Sequence, residues 1–202
     1  MSKKLIALDA DGVLLDYSLA YASAWEKAFG VYPTLKNPNA YWPIDRWAVE
    51  RLSGSQLDVF RSVQDETFWS TIPAIKGAIE ACHLLHNAGY ELICVTALKS
   101  RFRAARQKNL LDLGFPIDTV MTVEHTDNTI GPKAAVINGL KPLAFVDDYL
   151  PYMAGIDTDI HLALIMRDSD NSPNEGIGMD RIHSKHADLD DFVKNWLTNI
   201  AC

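Results

Sequence analysis

Short apolar runs recur along the chain, and most of them end at polar or acidic residues. The first, residues 4–8, stops sharply at Asp9 and is followed by Gly12, a pattern typical of a buried parallel strand whose carboxyl end carries functional groups. Later runs share this pattern and predict further buried strands. The predicted strands are residues 4–8, 91–96, 120–123, 143–146 and 161–166.

Segments with helical spacing lie between these runs, and several of them end at a glycine. They cover residues 75–88, 100–113, 133–138 and 150–154, and an amphipathic helix over Leu189–Ile200 is predicted to close the chain. This alternation predicts an α/β fold with a parallel sheet flanked by helices. Ligands bind such sheets beyond the carboxyl ends of the strands, so the residues that follow each strand are the candidates for function.

Residues 16–71 interrupt the alternation. This interval has helical stretches and joints rich in proline and asparagine, such as Tyr32-Pro33, but it has no convincing buried strand. We therefore expect an inserted helical cap at residues 16–71, with residues 1–15 and 72–202 forming the α/β core. Residues 168–178 are rich in serine, asparagine, proline and glycine, which predicts a loop.

Composition and charge limit the cellular location and the binding partners that we expect. No stretch approaches the roughly 18 consecutive apolar residues of a membrane span, so we expect a cytoplasmic protein that does not associate with membranes. Three cysteines without CxxC spacing do not indicate a disulfide framework. The net charge of −7 argues against binding to a nucleic-acid polymer but allows a small phosphorylated metabolite, which one lysine and a metal ion can hold locally. The oligomeric state is not indicated.

Polar residues cluster at the predicted strand ends. The segments are LIALDADGVL with Asp9 and Asp11, ICVTAL with Thr96, GPKAAV with Lys133, and LAFVDDYL with Asp147 and Asp148. Carboxylates gathered in one crevice raise one another's pKa unless a cation lies among them, and Mg²⁺ is the hard cation that prefers oxygen ligands. A single threonine here is more often a helix cap, and a single lysine is more often solvated. The assignment therefore depends on the whole set.

Together these segments resemble, in order and spacing, the four motifs of the haloacid dehalogenase (HAD)-like hydrolase superfamily, in its phosphatase branch with a small helical cap after the first motif. The resemblance covers most of the chain and is weakest in the cap. It implies a Rossmann-like core that binds Mg²⁺ through the Asp9 side chain, the Asp11 backbone carbonyl and the Asp147 side chain. Three roles are open for Asp148: direct metal binding, metal binding through water, or orientation of Lys133.

The resemblance also implies a phosphoric monoester hydrolase. Asp9 would attack phosphorus to form an aspartyl-phosphate, and Asp11 would act as general acid and then general base. Thr96 and Lys133 would bind the transferring phosphoryl group. Gly12 would permit the tight backbone path that turns both acids inward. Pro132 predicts a helix start that places Lys133 in the first turn.

Four other functions are weighed against a phosphatase. A haloacid dehalogenase is disfavoured, because displacing halide needs no acid such as Asp11. The DADGVL start, the cap and the passage over residues 68–78 resemble small 5'-nucleotidases. A phosphosugar mutase would share every core residue and differ in excluding water. A noncatalytic phosphate-ligand binding protein on the same fold would not need the complete set of catalytic residues.

Three further signals have simpler explanations. The many tryptophans and tyrosines of the insert predict packing in a small subdomain, although rings that faced the crevice would favour a planar or nucleoside-like substrate. The HxxH pairs at residues 83–86 and 183–186 predict surface or helix-end histidines rather than a zinc site. Lys99 and Arg101, just after Thr96, could reach a substrate, but they are more typical of a solvated helix start.

Overall fold

The computed structural model describes residues 4–124, 130–167 and 170–200. Its centre is a sheet of six strands in the order β3-β2-β1-β4-β5-β6, and all neighbouring strands pair in parallel. The strands are β1 Leu5–Leu8, β2 Glu91–Ala97, β3 Thr119–Val123, β4 Ala144–Asp147, β5 His161–Ile165 and β6 Ser184–His186. The predicted α/β fold with a parallel sheet flanked by helices is confirmed.

Both faces of the sheet are buried, which explains why its inner strands are uninterrupted apolar runs. Along β1, Ile6 and Leu8 belong to one hydrophobic cluster and Ala7 to a second one. The first cluster includes residues of α5 (Ala78–Asn87), α6 (Arg103–Asp112) and α8 (Leu189–Ile200). The second includes Ile137 of α7 (Ala134–Leu140), so helices cover both sides.

Four helices lie in the predicted cap. They are α1 Tyr17–Phe29, α2 Pro43–Arg46, α3 Gly54–Ser62 and α4 Glu66–Trp69. The Asp16 carboxylate caps α1 by accepting from the backbone N–H of Leu19 at 3.0 Å, and Asp65 caps α4 by accepting from the N–H of Phe68 at 2.9 Å. Side chains of this insert join the hydrophobic cluster on one face of the sheet. The boundaries of the cap, residues 16–71, stay a prediction.

The insert is also tied to the loop after β5. Ala40 pairs with Asp170 as an isolated parallel bridge, and the Asn37 side-chain amide donates to the Asp170 carboxylate at 3.1 Å. The backbone N–H of Tyr41 donates to the Asp170 carbonyl at 3.2 Å. These contacts fix the segment around Tyr41 above the carboxyl end of the sheet.

Several local expectations differ from the structure. β6 falls in the second HxxH segment, where surface or helix-end residues were expected. Residues 150–153 form one 3₁₀ turn instead of a helix, and Lys133 is the residue that caps α7 instead of lying in its first turn. Within the predicted loop, residues 168–169 lie outside the described residues. None of the helices in the described ranges has the length and apolar character to cross a membrane.

Candidate active site

The strand order brings the predicted site residues to one edge of the sheet. Asp9 directly follows β1, Asp147 ends the neighbouring β4, and Thr96 lies near the end of β2 on the other side. The backbone N–H of Asp9 donates to the Val146 carbonyl at 2.9 Å, which extends the β1–β4 pairing up to the acids. Asp9, Thr96 and Asp147 are all buried.

Lys133 joins two of these acids from the start of α7. Its Nζ lies 2.5 Å from Asp9 Oδ1 and 2.8 Å from Asp147 Oδ2, and the side chain is completely buried. Burial opposes the charge of the ammonium, but the two carboxylates outweigh burial and raise the pKa of Lys133 above its ordinary value. Lys133 is therefore a fixed cation beside Asp9.

Three buried carboxylates form a group that fits a metal ion. One oxygen from each of Asp9, Asp147 and Asp148 lies within 4.8 Å of the other two. Burial raises the pKa of Asp147 despite the nearby Lys133 ammonium, and burial raises the pKa of Asp148 to about 6 despite the Arg167 guanidinium. A hard divalent cation among these oxygens would favour their ionised forms, so the donor set suits Mg²⁺.

Asp148 is held by groups that the sequence did not indicate. Its Oδ2 lies 2.8 Å from Arg167 Nη2 and accepts from the Tyr41 hydroxyl at 3.3 Å, and Asn174 donates its side-chain amide to the Asp148 carbonyl at 2.8 Å. Arg167 also lies over the Tyr41 ring, 4.4 Å from its centroid. The ion-pair partner of Asp148 is thus Arg167, whereas Lys133 pairs with Asp9 and Asp147. This geometry favours the metal roles of Asp148 over orientation of Lys133.

Gly12 is required by close approach as well as by backbone conformation. Its φ is +93°, in the left-handed region, and a Cβ on it would lie 2.1 Å from Asp148 Oδ2. Only glycine allows the turn after Asp11 to pass against the Asp148 carboxylate.

The side chain of Asp11 lies outside the group of three carboxylates and pairs with Arg106 of α6. The predicted role of Asp11 as a metal ligand used its backbone carbonyl, so the two observations are compatible. Arg106 Nη2 donates to both carboxylate oxygens of Asp11 at 2.9 Å. The Arg106 guanidinium lies 5.3 Å from the centroid of the Trp69 ring. Burial raises the pKa of Asp11 above its ordinary value, although Arg106 acts in the opposite direction.

A cavity of about 360 Å³ opens above Asp9 and Asp11. Aromatic side chains supply much of its lining, from the insert and from the segment after β4. Besides Asp9 and Asp11, the lining includes Tyr17, Ser18, Tyr41, Trp42, Trp69, Thr96, Asp148, Tyr149, Tyr152 and Arg167. Packing alone therefore accounts for only part of the aromatic content of the insert: Trp25 packs against the core, while Trp42 faces the cavity.

Lys99 and Arg101 line a second cavity, of about 530 Å³, which shares Trp69 and Ala97 with the first. Both side chains are exposed, as expected for a solvated helix start. They lie around the 3₁₀ turn Ser100–Phe102 that precedes α6.

Comparison with solved structures identifies the fold of the chain that carries this site. No family model and no curated protein matches the sequence. A HAD-family hydrolase from Deinococcus radiodurans R1 with bound phosphate and sodium matches with a TM-score of 0.62 and 14% identity, over 98% of this chain and 96% of that one. The L-2-haloacid dehalogenase from Xanthobacter autotrophicus, with chloropropionic acid covalently bound, gives 0.61 and 13%, over 96% and 98%.

A phosphatase is also among these structures. The D,D-heptose 1.7-bisphosphate phosphatase from B. bronchiseptica, complexed with magnesium and phosphate, gives a TM-score of 0.54 and 14% identity, over 97% of this chain and 99% of that one. The chain therefore has the HAD-like α/β fold along nearly its whole length. Phosphatases and dehalogenases share this fold, so the choice between them depends on the residues of the site.

Proposed function

We propose that this protein is a Mg²⁺-dependent phosphohydrolase that cleaves a small phosphate monoester through an aspartyl-phosphate at Asp9. One observation carries the proposal: Asp9 lies at the floor of a cavity between a fixed cation, Lys133, and a second carboxylate on the same turn, Asp11. This arrangement provides a nucleophile and a proton donor at the cavity, with the positive charge of the buried Lys133 in contact with the nucleophile.

The first half-reaction uses both acids. A carboxylate oxygen of Asp9 attacks phosphorus, the bond from phosphorus to the ester oxygen breaks, and Asp11 gives a proton to the departing alkoxide. The raised pKa of Asp11 makes its protonated form easier to reach during turnover, and the ion pair with Arg106 holds the resting carboxylate in place. In the second half-reaction water attacks phosphorus, Asp11 takes a proton from that water, and phosphate leaves with Asp9 restored.

Charge on the phosphoryl oxygens is balanced by groups behind Asp9. Lys133 supplies a permanent positive charge, and the Thr96 hydroxyl lies at the cavity as a hydrogen-bond donor. Asp9, Asp147 and Asp148, together with the Asp11 carbonyl, would hold Mg²⁺, which when bound neutralises developing negative charge on the phosphoryl group.

A dehalogenase is the second candidate, since a dehalogenase shares the fold and its structure carries chloropropionic acid covalently bound. The position of Asp11 at the cavity favours the phosphatase. Halide is a good leaving group that needs no proton, whereas an alkoxide needs one.

The test is a panel of phosphate monoesters, sugar phosphates, nucleoside monophosphates and 2-chloropropionate, assayed for released phosphate or chloride. We expect phosphate release that requires Mg²⁺, stops with EDTA and is absent in Asp9→Asn. The matched control is Asp16→Asn, which changes the cap of α1 and leaves the cavity intact. Chloride release without phosphate release would replace the proposal with a dehalogenase, and tight phosphate binding without turnover would replace it with a binding protein.

A further inference from the structure

Part of the cavity lining is an aromatic wall of rings in contact with one another. This aromatic wall consists of Tyr41, Trp42, Tyr149 and Tyr152. The Trp42 and Tyr149 rings meet edge to face with centroids 5.9 Å apart, and Tyr149 meets Tyr152 in the same way at 4.7 Å. Tyr41 contacts Trp42 at 4.8 Å. Because neighbouring rings hold each other at steep angles, the wall is a preformed apolar surface.

Two further aromatic residues also line the cavity. Tyr17 and Trp69 stack with centroids 6.0 Å apart and an interplanar angle of 17°, and both line the cavity. The lining therefore contains two groups of aromatic rings. A planar group on the substrate could contact rings from both.

The charged groups of the lining are already paired with each other or with buried partners. Asp9 pairs with Lys133, Asp11 with Arg106, and Asp148 with Arg167. Among the described lining residues there is no asparagine, glutamine or histidine. The Ser18 hydroxyl accepts from Trp47 Nε1 at 3.2 Å. The side-chain hydroxyls of the lining come mainly from tyrosines, so contact with a ring is favoured over recognition of several sugar hydroxyls.

The balance of charge also limits the substrate. Arg167 is the cation among the described lining residues, and its guanidinium is neutralised by Asp148 at 2.8 Å. A second phosphate or carboxylate on the substrate would meet three lining carboxylates without a spare cation. The lining therefore fits a ligand with one anionic group, which disfavours the bisphosphates of a phosphosugar mutase.

From these observations we propose that the substrate is a monoester whose alcohol part carries a planar aromatic ring and no second anion, with the ring against Trp42 and Tyr149. The inference rests on the proposed phosphohydrolase function for the position of the phosphoryl group at Asp9. A cavity of about 360 Å³ is at the small end of ligand pockets, so it favours one ring or two fused rings.

The experiment compares esters that differ in the ring but not in the reacting bond. Benzyl phosphate and cyclohexylmethyl phosphate both release a primary alcohol of similar size, so their intrinsic reactivities are close, and glucose 6-phosphate represents sugars. We expect kcat/KM for benzyl phosphate to exceed the other two by roughly tenfold. Trp42→Ala should remove most of this preference, because it should lower kcat/KM for benzyl phosphate much more than kcat/KM for cyclohexylmethyl phosphate.

Tyr32→Ala is the matched control, because Tyr32 is a ring of the insert that is 43% exposed, similar to the 41% of Trp42, and it does not line the cavity. This variant should keep the wild-type preference. Equal turnover of benzyl and cyclohexylmethyl phosphate, or preference for the sugar ester, would overturn the aromatic substrate class and leave the phosphohydrolase intact.

If no ester is turned over, binding measurements still test the aromatic substrate class separately from the proposed hydrolysis. Calorimetry with benzylphosphonate and cyclohexylmethylphosphonate in the presence of Mg²⁺ needs no catalysis. Tighter binding of the benzyl compound to wild type and Tyr32→Ala, lost in Trp42→Ala, would support an aromatic ligand even though hydrolysis had failed. Equal binding would overturn the aromatic inference by itself.

Discussion

One nitrogen of Arg106, Nη2, donates to both carboxylate oxygens of Asp11 at 2.9 Å. Arg106 is completely buried, while the Asp11 side chain is 25% exposed towards the cavity. The Nε and Nη1 atoms of Arg106 have no hydrogen-bond partner among the described residues. A completely buried guanidinium is costly unless it is paired, so its contact with Asp11 ties the position of that carboxyl to α6.

Arg106→Met should lower both stability and turnover, because it leaves Asp11 without its counter-charge. We expect a loss of about 2–3 kcal/mol in the free energy of unfolding, below the range for a fully buried pair because Asp11 is 25% exposed. Adding Asp11→Asn to Arg106→Met should recover part of that loss, since the uncompensated charge is then gone. Urea denaturation of the two single variants and the double variant measures this, and strict additivity would show that the two residues are not coupled.

Asp11→Asn should damage the hydrolysis of alkyl esters much more than that of aryl esters. An alkoxide needs a proton as it leaves, whereas a nitrophenolate does not, so the loss in kcat should be at least roughly tenfold larger for a primary alkyl phosphate. Steady-state kinetics with 4-nitrophenyl phosphate and butyl phosphate give the comparison. Equal losses on the two esters would argue that Asp11 is not the proton donor.

Gly12→Ala should disrupt the site, since its Cβ would lie 2.1 Å from Asp148 Oδ2. Gly30→Ala is a matched control: Gly30 has a φ of +80°, near the +93° of Gly12, but no heavy atom within 4 Å of the added Cβ. Gly30→Ala should cost about 1 kcal/mol of stability and keep full activity. Gly12→Ala should cost more and abolish turnover, as measured by thermal unfolding and phosphate release. If the two variants had similar stability and activity, the close approach of residue 12 to Asp148 would not be what requires glycine there.

Stabilisation by Mg²⁺ should increase with pH. Burial raises the pKa of Asp148 to about 6, so the metal-free folded protein holds a proton there that the unfolded chain releases near pH 4. This group therefore lowers folding stability as pH rises from about 4 to 6, and Mg²⁺ must displace that proton in order to bind. The shift in Tm on adding Mg²⁺ should be small at pH 5 and several degrees at pH 7.5. A shift independent of pH would contradict metal binding at these acids.

The strand ends were predictable from sequence, and the contacts around them were not. Asp9, Thr96 and Asp147 could be placed together because apolar runs ended beside them and parallel strands align their carboxyl ends. Arg106 was missed because a single arginine inside a helix usually faces solvent, and nothing in the spacing shows that it turns inward. β6 was missed because three residues, Ser184–His186, carry too little apolar pattern to predict a strand.

Contacts between residues that are far apart in the sequence could not be predicted, for a different reason. The Tyr41 hydroxyl donates to the Asp148 carbonyl, although the two residues are 107 positions apart. Tyr41 belongs to the insert, and the path of the insert depends on packing rather than on hydrophobic periodicity. Trp42 likewise gave no sign of whether it packs inside the insert or faces the cavity. In the structure Trp42 precedes the short α2 that begins at Pro43, and it lines the cavity.

The central claim is covalent catalysis by Asp9, and reductive trapping tests it most directly. During turnover of a phosphate monoester with Mg²⁺, borohydride should reduce an aspartyl-phosphate to homoserine, and peptide mass spectrometry locates the modified residue. We predict homoserine at position 9 in the presence of substrate, none without substrate, and none in Asp9→Asn. Turnover that leaves residue 9 unmodified under conditions that trap a control acyl phosphate, or modification at another acid, would contradict the claim.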